Sequence, residues 1–567
     1  MVTKEIKELK ELNNQKIKEL DKKASVFSKI RIILVCLFIV FIFCILSLQE
    51  PVYYLFILTI VFIYIVVGII YRPTFKKIED IKLTQIVLDE YEYRENGKWK
   101  QFSDNGSKYL KTNLEHDLDI FGSGSLYQFI NSTKTPSGRE KLVHTLKNGS
   151  DDILQSQKEV SKLSDFKTSI KFNKALKKYY KKARYFNEED LQTLKNIANT
   201  EVNINEKCKI GIIILSIISV ISIILSIINL TFVSLVVITF IIQFFFTKIN
   251  TKENEIFEYN TTNINFGING YKILISELSN IDNIDISMVD FKPIKKLKNV
   301  CNAISSRKNI VAYIIGNIFF MDIITLLKMK SFSKNELNSF FNTINKIADY
   351  EVYLSLANIN LIHANTSYPR ESNKLEVKNI RHPLIGMNPI GNDFSLSGVI
   401  ILTGSNMSGK TTFMRSIGIN YILYQAGGAV LAEEFMAPKL KVYTSLRVND
   451  MTTEGISTFY AELNRIKDMI DAIKNNEKIL VLIDEIFKGT NALDRLIGSK
   501  RVIDKLNNQY AIISTHDFEL CKLENIKNYH FEEEYNEGKI YFSYKIKEGQ
   551  CKTTNGKFLM DSIGLNE

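Results

Sequence analysis

The sequence has few cysteines, and their spacing builds neither a cross-linked scaffold nor a zinc site. Six cysteines are scattered over 567 residues, and no two of them form a C-x-x-C pair. Cys36 and Cys44 lie inside an apolar run. This pattern predicts neither a disulfide framework nor a zinc site, and it fits a reducing cytosol.

Negative charge is also in deficit. The chain has 62 acidic residues against 73 Lys and Arg, which gives a net charge of +11. A surplus of positive charge favours an anionic partner such as nucleic acid, phospholipid headgroups or a nucleotide. The alternative is that the basic residues mark the cytoplasmic flanks of membrane segments. Composition alone leaves both interpretations open.

Charge is absent altogether from three long apolar runs, at residues 32–48, 52–71 and 210–246. As a single helix the third run would be about 55 Å long, whereas the hydrocarbon core of a bilayer measures about 30 Å. We therefore expect it to turn at residues 229–231 and to form two spans. Buried core helices carry a polar face, and these runs do not. Because the spans contain no ionisable Asp, Glu, Lys or Arg, they are expected to be anchors rather than an ion pathway.

The basic residues around the apolar runs predict how the chain crosses the membrane. Neither hairpin tip carries a Lys or Arg, whereas the bases of both hairpins carry several. The basic residues at the bases are Lys22, Lys23, Lys29, Arg31, Arg72, Lys76, Lys77, Lys207, Lys209, Lys248 and Lys252. By the positive-inside rule, we expect a multi-pass protein of the cell membrane with its N-terminus and all large polar segments in the cytoplasm.

Residues 404–411, GSNMSGKT, fit the phosphate-binding pattern G-x-x-x-x-G-K-[ST]. The preceding VIILT predicts a buried strand and the following TFMRSIGINYILYQ a helix, which is the context that the motif needs. Glycines there let backbone N–H groups approach phosphates at a positive helix end. Lys410 is expected to reach the β- and γ-phosphates, and Thr411 is expected to bind Mg²⁺.

Two further strands are followed by residues that fit ATP hydrolysis. The apolar run at 479–483 predicts a central parallel strand, after which Asp484 would hold Mg²⁺ through water and Glu485 would orient or deprotonate the attacking water. A third strand, YAIISTHD at 510–517, is expected to end in His516, which is suited to sensing the γ-phosphate from a neighbouring strand end. This order of motifs is typical of an ABC-type ATPase, but the L-S-G-G-Q signature of transporters is missing. A transporter is therefore disfavoured.

With these motifs in place, the sequence resembles the MutS family of DNA mismatch-repair ATPases over about residues 100–205 and 255–565. The similar stretches are RHPL at 381–384 with ND at 392–393, TGSNMSGK at 403–410, GISTF at 455–459, DE at 484–485 with GT at 489–490, STH at 514–516 with FEL at 518–520, and IFGSGSLYQFINSTKTPSGREKL at 120–142. The resemblance implies an α/β ABC-type P-loop ATPase domain joined to an all-α MutS-like core and lever, here with two transmembrane helical hairpins.

The resemblance also implies ATP and Mg²⁺ as cofactors and a homodimer as the active form. In the family, the G-x-S-T-F signature reaches the ATP of the other subunit, so Ser457 and Thr458 are expected to act in trans from the start of a helix. The residues expected to bind ATP are Gly404, Ser405, Asn406, Met407, Ser408, Gly409, Lys410, Thr411, Thr412, Ser457 and Thr458. Glu485, His516 and Lys410 are expected to be catalytic, and Thr411 and Asp484 to bind the metal.

The expected domain order follows from the apolar runs and the resemblance. Residues 1–29 form a charged cytoplasmic helix, for which a solvated helix and a short coiled coil both remain open. The other segments are transmembrane hairpin 1 at 30–72, the first part of the helical core at 73–208, transmembrane hairpin 2 at 209–247, the second part of the core with the lever at 248–375, and the ATPase domain at 376–567.

The sequence departs from the family where the family recognises DNA. No counterpart of the mismatch-reading domain or its Phe-x-Glu wedge is found before the core, and no helical dimerisation module after the ATPase motifs. Lys488 stands where the family has Arg, and residues 388–391 offer no aromatic side chain to stack on adenine. Mismatch-specific recognition is therefore not expected.

Non-specific contact with DNA stays open. Basic stretches at 171–186 and 292–299 can neutralise phosphates, and the first also carries aromatic residues. The same stretches fit a solvated helix face or a surface facing anionic lipid. Two hypotheses follow: a membrane-anchored MutS-like ATPase that acts on DNA at the inner face of the membrane, and an ATP-driven switch with no DNA role that moves its hairpins through lever helices.

Overall fold

The computed structural model describes residues 2–551 apart from 49, 203, 206, 253, 287–289, 331–333, 387–388, 406, 448–457, 525 and 537–538. In chain order the helices are α1 Val2–Leu48, α2 Val52–Glu95, α3 Asn113–Asp117, α4 Leu126–Ile130, α5 Pro136–Asn148, α6 Ile153–Leu163, α7 Phe166–Ala183, α8 Glu188–Asn199, α9 Lys207–Ile228, α10 Val233–Thr251, α11 Ile264–Leu278, α12 Phe291–Ser306, α13 Ile310–Ile318, α14 Met321–Lys330, α15 Lys334–Ile362, α16 Lys410–Gln425, α17 Thr458–Lys474 and α18 Ala492–Lys505.

The strands all lie in the C-terminal part of the chain. They are β1 Arg370–Glu371, β2 Leu375–Ile380, β3 Asn392–Leu396, β4 Val399–Thr403, β5 Glu434–Ala437, β6 Lys441–Ser445, β7 Ile479–Ile483, β8 Tyr510–Ser514, β9 Lys527–Asn536 and β10 Lys539–Glu548. The chain is therefore mostly helical in its N-terminal region and mixed α/β in its C-terminal region. This is the coarse division that the sequence predicts.

The chain divides into two compact units. Unit 1 comprises Met1–Asn131, Val143–Ile170 and Tyr353–Glu567, and unit 2 comprises Ser132–Leu142 and Lys171–Val352. The first predicted hairpin and all the strands belong to unit 1, whereas α9 and α10 belong to unit 2.

Unit 1 contains the sheet that positions the candidate site. Across the described residues this sheet has the strand order β10-β9-β4-β8-β7-β6, and its members from β9 to β6 run parallel. Every residue of β7 is buried, as expected of an apolar strand covered on both faces. Because parallel strands end at the same edge, the segments that follow β4, β7 and β8 come together there. A second sheet, with the order β1-β5-β2-β3, lies in the same unit.

The predicted charged N-terminal helix and the first apolar run are parts of one uninterrupted helix, α1. It has 47 residues, or about 70 Å at 1.5 Å per residue, of which the apolar run at 32–48 accounts for about 25 Å. The helix α2 returns beside it. Their polar ends are joined by Lys10, whose ammonium group lies 2.5 Å from a carboxylate oxygen of Asp89, and by the amide of Gln85, which donates to Asn14.

The helices α9 and α10 form the second apolar hairpin. The chain turns at Asn229, whose side-chain oxygen accepts a hydrogen bond from the Thr231 N–H at 3.0 Å. Within the hairpin, the buried Gln243 amide donates to the Leu215 carbonyl at 3.1 Å. A Cβ atom on Gly211 would lie 2.5 Å from the Phe246 ring, so glycine allows the two helices to approach closely.

Among the described residues, four helices are long and apolar enough to cross a membrane: α1, α2, α9 and α10. Little of each apolar window is buried, with a maximum of 17% in α10. A further pair, α13 and α14, meets the same criterion only jointly, and it is bent by 73°. This bent pair is not among the apolar runs expected from the sequence.

Unit 2 otherwise packs around aromatic side chains. The rings of Tyr179 on α7 and Tyr271 on α11 lie 5.0 Å apart, and both residues are buried. Gly270 allows this approach, because a Cβ atom there would lie 2.8 Å from the Ala183 side chain. The last turn of α7 also carries basic residues, Lys181 and Lys182, which are exposed.

Candidate active site

The loop between β4 and α16 has the backbone of a phosphate cradle. Gly404, Met407 and Gly409 have φ angles of 144°, 71° and 111°, and Gly409 immediately precedes the first residue of α16. A Cβ atom on Gly404 would lie 2.6 Å from the Phe531 carbonyl oxygen, so this position requires glycine. The positive end of the α16 dipole and its unpaired N–H groups face the loop.

Buried polar side chains line this loop. Lys410 donates to the carbonyl oxygens of Gly404 at 2.6 Å and Ser405 at 2.9 Å, and burial lowers its pKa. The buried Ser408 hydroxyl has no hydrogen-bond partner among the described residues. Buried polar groups normally find partners, so an orphaned hydroxyl and a lysine folded back on its own loop fit a site for phosphate.

Asp484 lies directly against the loop. The Thr411 hydroxyl donates to one of its carboxylate oxygens at 2.5 Å, and the Ser514 hydroxyl donates to the other. The Asp484 N–H is fixed by the Ser445 carbonyl at 2.9 Å. Carboxylate and hydroxyl oxygens next to a phosphate cradle are the ligands that Mg²⁺ prefers, so the residues present fit this ion.

Glu485 is held by two cationic or proton-donating side chains. Its carboxylate lies 2.7 Å from the Lys488 ammonium and 3.3 Å from Nε2 of His516. These hydrogen bonds, that of His516 first, lower the pKa of Glu485 to about 2 against the opposing effect of burial. The Glu485 backbone has a φ of 53°, and its N–H donates to the Ser514 hydroxyl at 2.9 Å. The carboxylate is therefore ionised at neutral pH and fixed in direction.

A second carboxylate, from Glu462 on α17, lies beside the turn after Glu485. It is buried, and burial raises its pKa to about 7 against the opposing effect of Arg465 and of the backbone of Phe487 and Lys488. Phe487 has a φ of 57°, which a phenylalanine adopts at a cost, so this carboxylate packs beside a strained turn. The sequence did not reveal Glu462, because nothing in its spacing relates it to the segment after β7.

A cavity of about 480 Å³ opens beside Gly409 and Thr412. Ile385 and Ile390 line it on one side, and Phe531 and Tyr544 also line it. This volume lies within the range of about 300–1,000 Å³ that is common for small-molecule sites. Residues 388–391 contain no aromatic side chain for adenine, but Tyr544 brings one from β10, far along the chain.

Tyr544 reaches the cavity because β10 bulges. The pairing of β10 with β9 shifts between Phe542 and Ile546, and Tyr544 has a φ of 52°. Asn392 pins the bulge: its amide donates to the Tyr544 carbonyl at 3.1 Å, and its side-chain oxygen accepts from the Ile546 N–H at 2.8 Å. A bulge has no clear sequence pattern, which explains why the sequence did not reveal Tyr544.

An acidic turn holds the segment that precedes the predicted signature. The fully buried Asp117 accepts from the N–H groups of Leu446 and Arg447 at 3.0 and 3.1 Å, and from the Arg465 guanidinium at 2.9 Å. Arg447 in turn makes two hydrogen bonds to Asp119, at 2.7 and 2.9 Å. Residues on both sides of 448–457 are thus tied to one carboxylate.

The predicted site residues divide into those brought together and those outside the described structure. The loop residues Gly404, Ser405, Met407, Ser408, Gly409, Lys410, Thr411 and Thr412 lie near Asp484, Glu485 and His516 at one sheet edge. Met407 is 86% exposed, whereas Ser405 is buried and donates to Glu533 at 2.8 Å. Asn406 and Ser457 lie outside the described residues. Thr458 begins α17, but its side chain is also outside them.

Comparison with known proteins identifies this region. The family model for MutS domain V matches residues 400–565. The DNA mismatch repair protein MutS of Thermus thermophilus is 29% identical over 247 residues, which are 42% of this chain and 30% of that protein. MutS of Halothermothrix orenii is 29% identical over 42% of this chain and 28% of its own length, and MutS of Leptospira interrogans is 30% identical over 35% and 25%.

The match and the geometry agree on the chemistry. Residues 400–565 match MutS domain V, and the site there has the geometry of an ABC-type ATPase domain. Its relationship to mismatch repair rests on distant relatives, of which the chain spans less than a third of the length.

Proposed function

We propose that this protein is a membrane-anchored ATPase in which ATP binding pairs two heads and moves the helices that enter the bilayer. The observation that carries this proposal is that α1 and α2 each run without a break from an apolar run to a polar end, within the unit that also holds the ATP site. Continuous helices transmit displacement along their length, and α2 stays helical through Pro73, at the base of the hairpin, where the missing N–H makes a bend easiest.

The polar end of α2 is firmly fixed in unit 1. Near that end, the buried Arg94 donates to the Phe129 carbonyl at 2.7 Å and to the Asn131 carbonyl at 3.0 Å. The Tyr91 ring packs edge to face on the Phe166 ring, with centroids 5.4 Å apart. A movement of this unit during the ATP cycle would therefore be carried into the first hairpin.

In the proposed cycle, Lys410 and the N–H groups of the loop hold the phosphates of ATP, and Tyr544 contacts the base. Thr411 and Asp484 would hold Mg²⁺, which would supply positive charge to neutralise the phosphates. Glu485 orients the attacking water and accepts its proton. His516 senses whether the γ-phosphate is present. Removal of the Glu485 carboxylate would leave binding in place and stop turnover.

The active form is proposed to be a homodimer, with Ser457 and Thr458 completing the site of the facing chain. Support comes from the resemblance to the MutS signature and from the acidic turn at Asp117, which ties Arg447 and Arg465 on the two flanks of that signature. The two hairpins would lie in the cell membrane with the ATPase in the cytoplasm, as the basic residues at their bases favour.

Labelling of intact cells tests the membrane part of the proposal. A membrane-impermeant maleimide should modify an Asn229→Cys variant, at the predicted outer tip of hairpin 2, without permeabilisation. A Tyr185→Cys variant, at an exposed position after α7, should react only after permeabilisation. Equal labelling of both positions in intact cells would contradict the topology.

DNA binding is a second candidate, favoured by the exposed basic residues at the end of α7 and in the turn after it. Lys181, Lys182 and Arg184 are exposed there, with Tyr185 64% exposed among them. Three phosphate contacts predict that duplex affinity falls about 40-fold between 50 and 200 mM salt. Full-length protein in zwitterionic nanodiscs should show this slope, and replacement of the three basic residues by Gln should flatten it. No binding at low salt would exclude the DNA role.

A further inference from the structure

The short helix α13 presents an apolar face that no other part of the described chain covers. It has nine residues, and its most exposed positions are Ile310 at 75%, Val311 at 64%, Ile314 at 46% and Ile315 at 49%. Positions i, i+1, i+4 and i+5 lie on one side of a helix. Phe319, just past the helix end, extends the same patch at 61% exposure.

The helix α13 is attached to the last turns of α10 through Tyr313 and Asn317. The Thr247 hydroxyl donates to the Asn317 carbonyl at 2.8 Å in a fully buried contact. The rings of Phe244 and Tyr313 meet edge to face with centroids 6.2 Å apart. Thr247 directly precedes Lys248, the basic residue that marks the cytoplasmic end of this span. The helix α13 therefore lies beside the cytoplasmic end of α10.

Basic residues precede this apolar segment. Residues 309–321 contain no charge, and Arg307 and Lys308 come directly before them. The first charge after the segment is the buried Asp322, which lies 3.4 Å from the Arg307 guanidinium, and Lys328 and Lys330 follow at the end of α14. The Asn309 side chain caps α13 by accepting from the N–H groups of residues 311 and 312 at 3.0 and 3.2 Å. An apolar helix face that follows basic residues fits the headgroup region of an anionic bilayer.

The length of α13 limits how it can meet the membrane. Nine residues extend about 14 Å, less than half of a hydrocarbon core of about 30 Å, so the helix cannot cross alone. The 73° bend after it turns the chain away before a span is completed. A position at the boundary between headgroups and acyl chains satisfies both observations.

We propose that α13 is a membrane-contacting helix that inserts its Ile310, Val311, Ile314 and Ile315 face into the cytoplasmic leaflet. The inference rests on the proposed function, in which α9 and α10 span the bilayer. A second copy of the chain is the competing occupant of this face. The bilayer is favoured because, at the level of the Thr247 contact, the other face of α10 exposes Phe245 at 55% and Ile249 at 72%.

Quenching of tryptophan fluorescence by brominated lipids tests this inference on the full-length protein in vesicles. The chain has one tryptophan, the buried Trp99, so the signal of the unsubstituted protein serves as the baseline. The test variant is Ile314→Trp. The span reporter is Ile221→Trp in the middle of α9, and the aqueous control is Tyr185→Trp. Unchanged ATP turnover shows that each variant has folded.

Each outcome has a defined meaning. We expect lipids brominated near the headgroup to reduce the fluorescence that Ile314→Trp adds at least twofold. Lipids brominated deep in the acyl chain should reduce it less. The fluorescence that Tyr185→Trp adds should stay unchanged. Quenching of Ile221→Trp without quenching of Ile314→Trp overturns the α13 inference alone. An Ile314→Trp emission spectrum that changes with protein concentration also overturns it, because it assigns the face to a second copy of the chain. Absence of quenching at both positions overturns the spanning hairpin as well.

Discussion

Replacement of Tyr544 by Ala tests whether the cavity beside the phosphate loop holds the base of the nucleotide. Loss of a base–aromatic contact costs about 1–3 kcal/mol in related settings. Tyr544 is 44% exposed and can offer one ring face, so we expect about 1–2 kcal/mol, or roughly 5–30-fold weaker ATP binding. Tyr544→Phe keeps the ring and should bind ATP nearly as well as the unsubstituted protein.

The assay is equilibrium binding of a fluorescent ATP analogue by the full-length protein in nanodiscs. Tyr541→Ala is the matched control, because Tyr541 lies on the same strand, is 50% exposed and does not line the cavity. Inorganic triphosphate should bind every variant with the same affinity, since it has no base. ATP affinity within twofold of normal in Tyr544→Ala, or an equal loss in Tyr541→Ala, would refute this assignment of the cavity.

Three further predictions concern carboxylates. Glu485→Gln should lower the rate of ATP turnover by about 10²–10⁴-fold, while ATP binding persists. A steady-state ATPase assay measures the rate, and Glu519→Gln, which changes an exposed carboxylate, is the control. Asp117→Ala should lower the free energy of unfolding by about 3–5 kcal/mol, because it removes the anionic partner of the largely buried Arg465 guanidinium and the acceptor of two backbone N–H groups; denaturant titration measures this. Folding raises the pKa of Glu462 from 4.5 to about 7, so between these pH values the folded state keeps a proton that the unfolded state releases. The free energy of unfolding should therefore decrease as the pH rises from 4.5 to 7. Glu462→Gln should make that fall shallower in urea titrations across the same range.

The sequence predicted the parts of the site whose chemistry is local. Residues 399–411 combine an apolar strand, a glycine-rich turn and a helix, and each of these is specified by neighbouring residues. The same holds for Asp484 and Glu485 after the apolar β7. Parallel strand order then brings these segments to one edge without further information.

The residues that the sequence did not reveal depend on contacts between distant segments. Tyr544 faces the cavity only because Asn392 holds a bulge more than a hundred residues away in the chain. Glu462 matters only through the backbone of Phe487 and Lys488. Similarly, α13 was overlooked because nine apolar residues are too few for a span, and their exposure depends on packing against α10.

The most direct test of the paired ATPase head uses mixed dimers. A chain with Lys410→Ala and a differently tagged chain with Ser457→Ala are co-expressed, and nanodiscs that hold one of each are isolated with both tags. If the signature acts in trans, one site of the pair collects both substitutions and the other has neither. Mixed dimers should then recover roughly half of normal ATP turnover, although each variant alone is inactive. Mixed dimers as inactive as their parents would contradict the account.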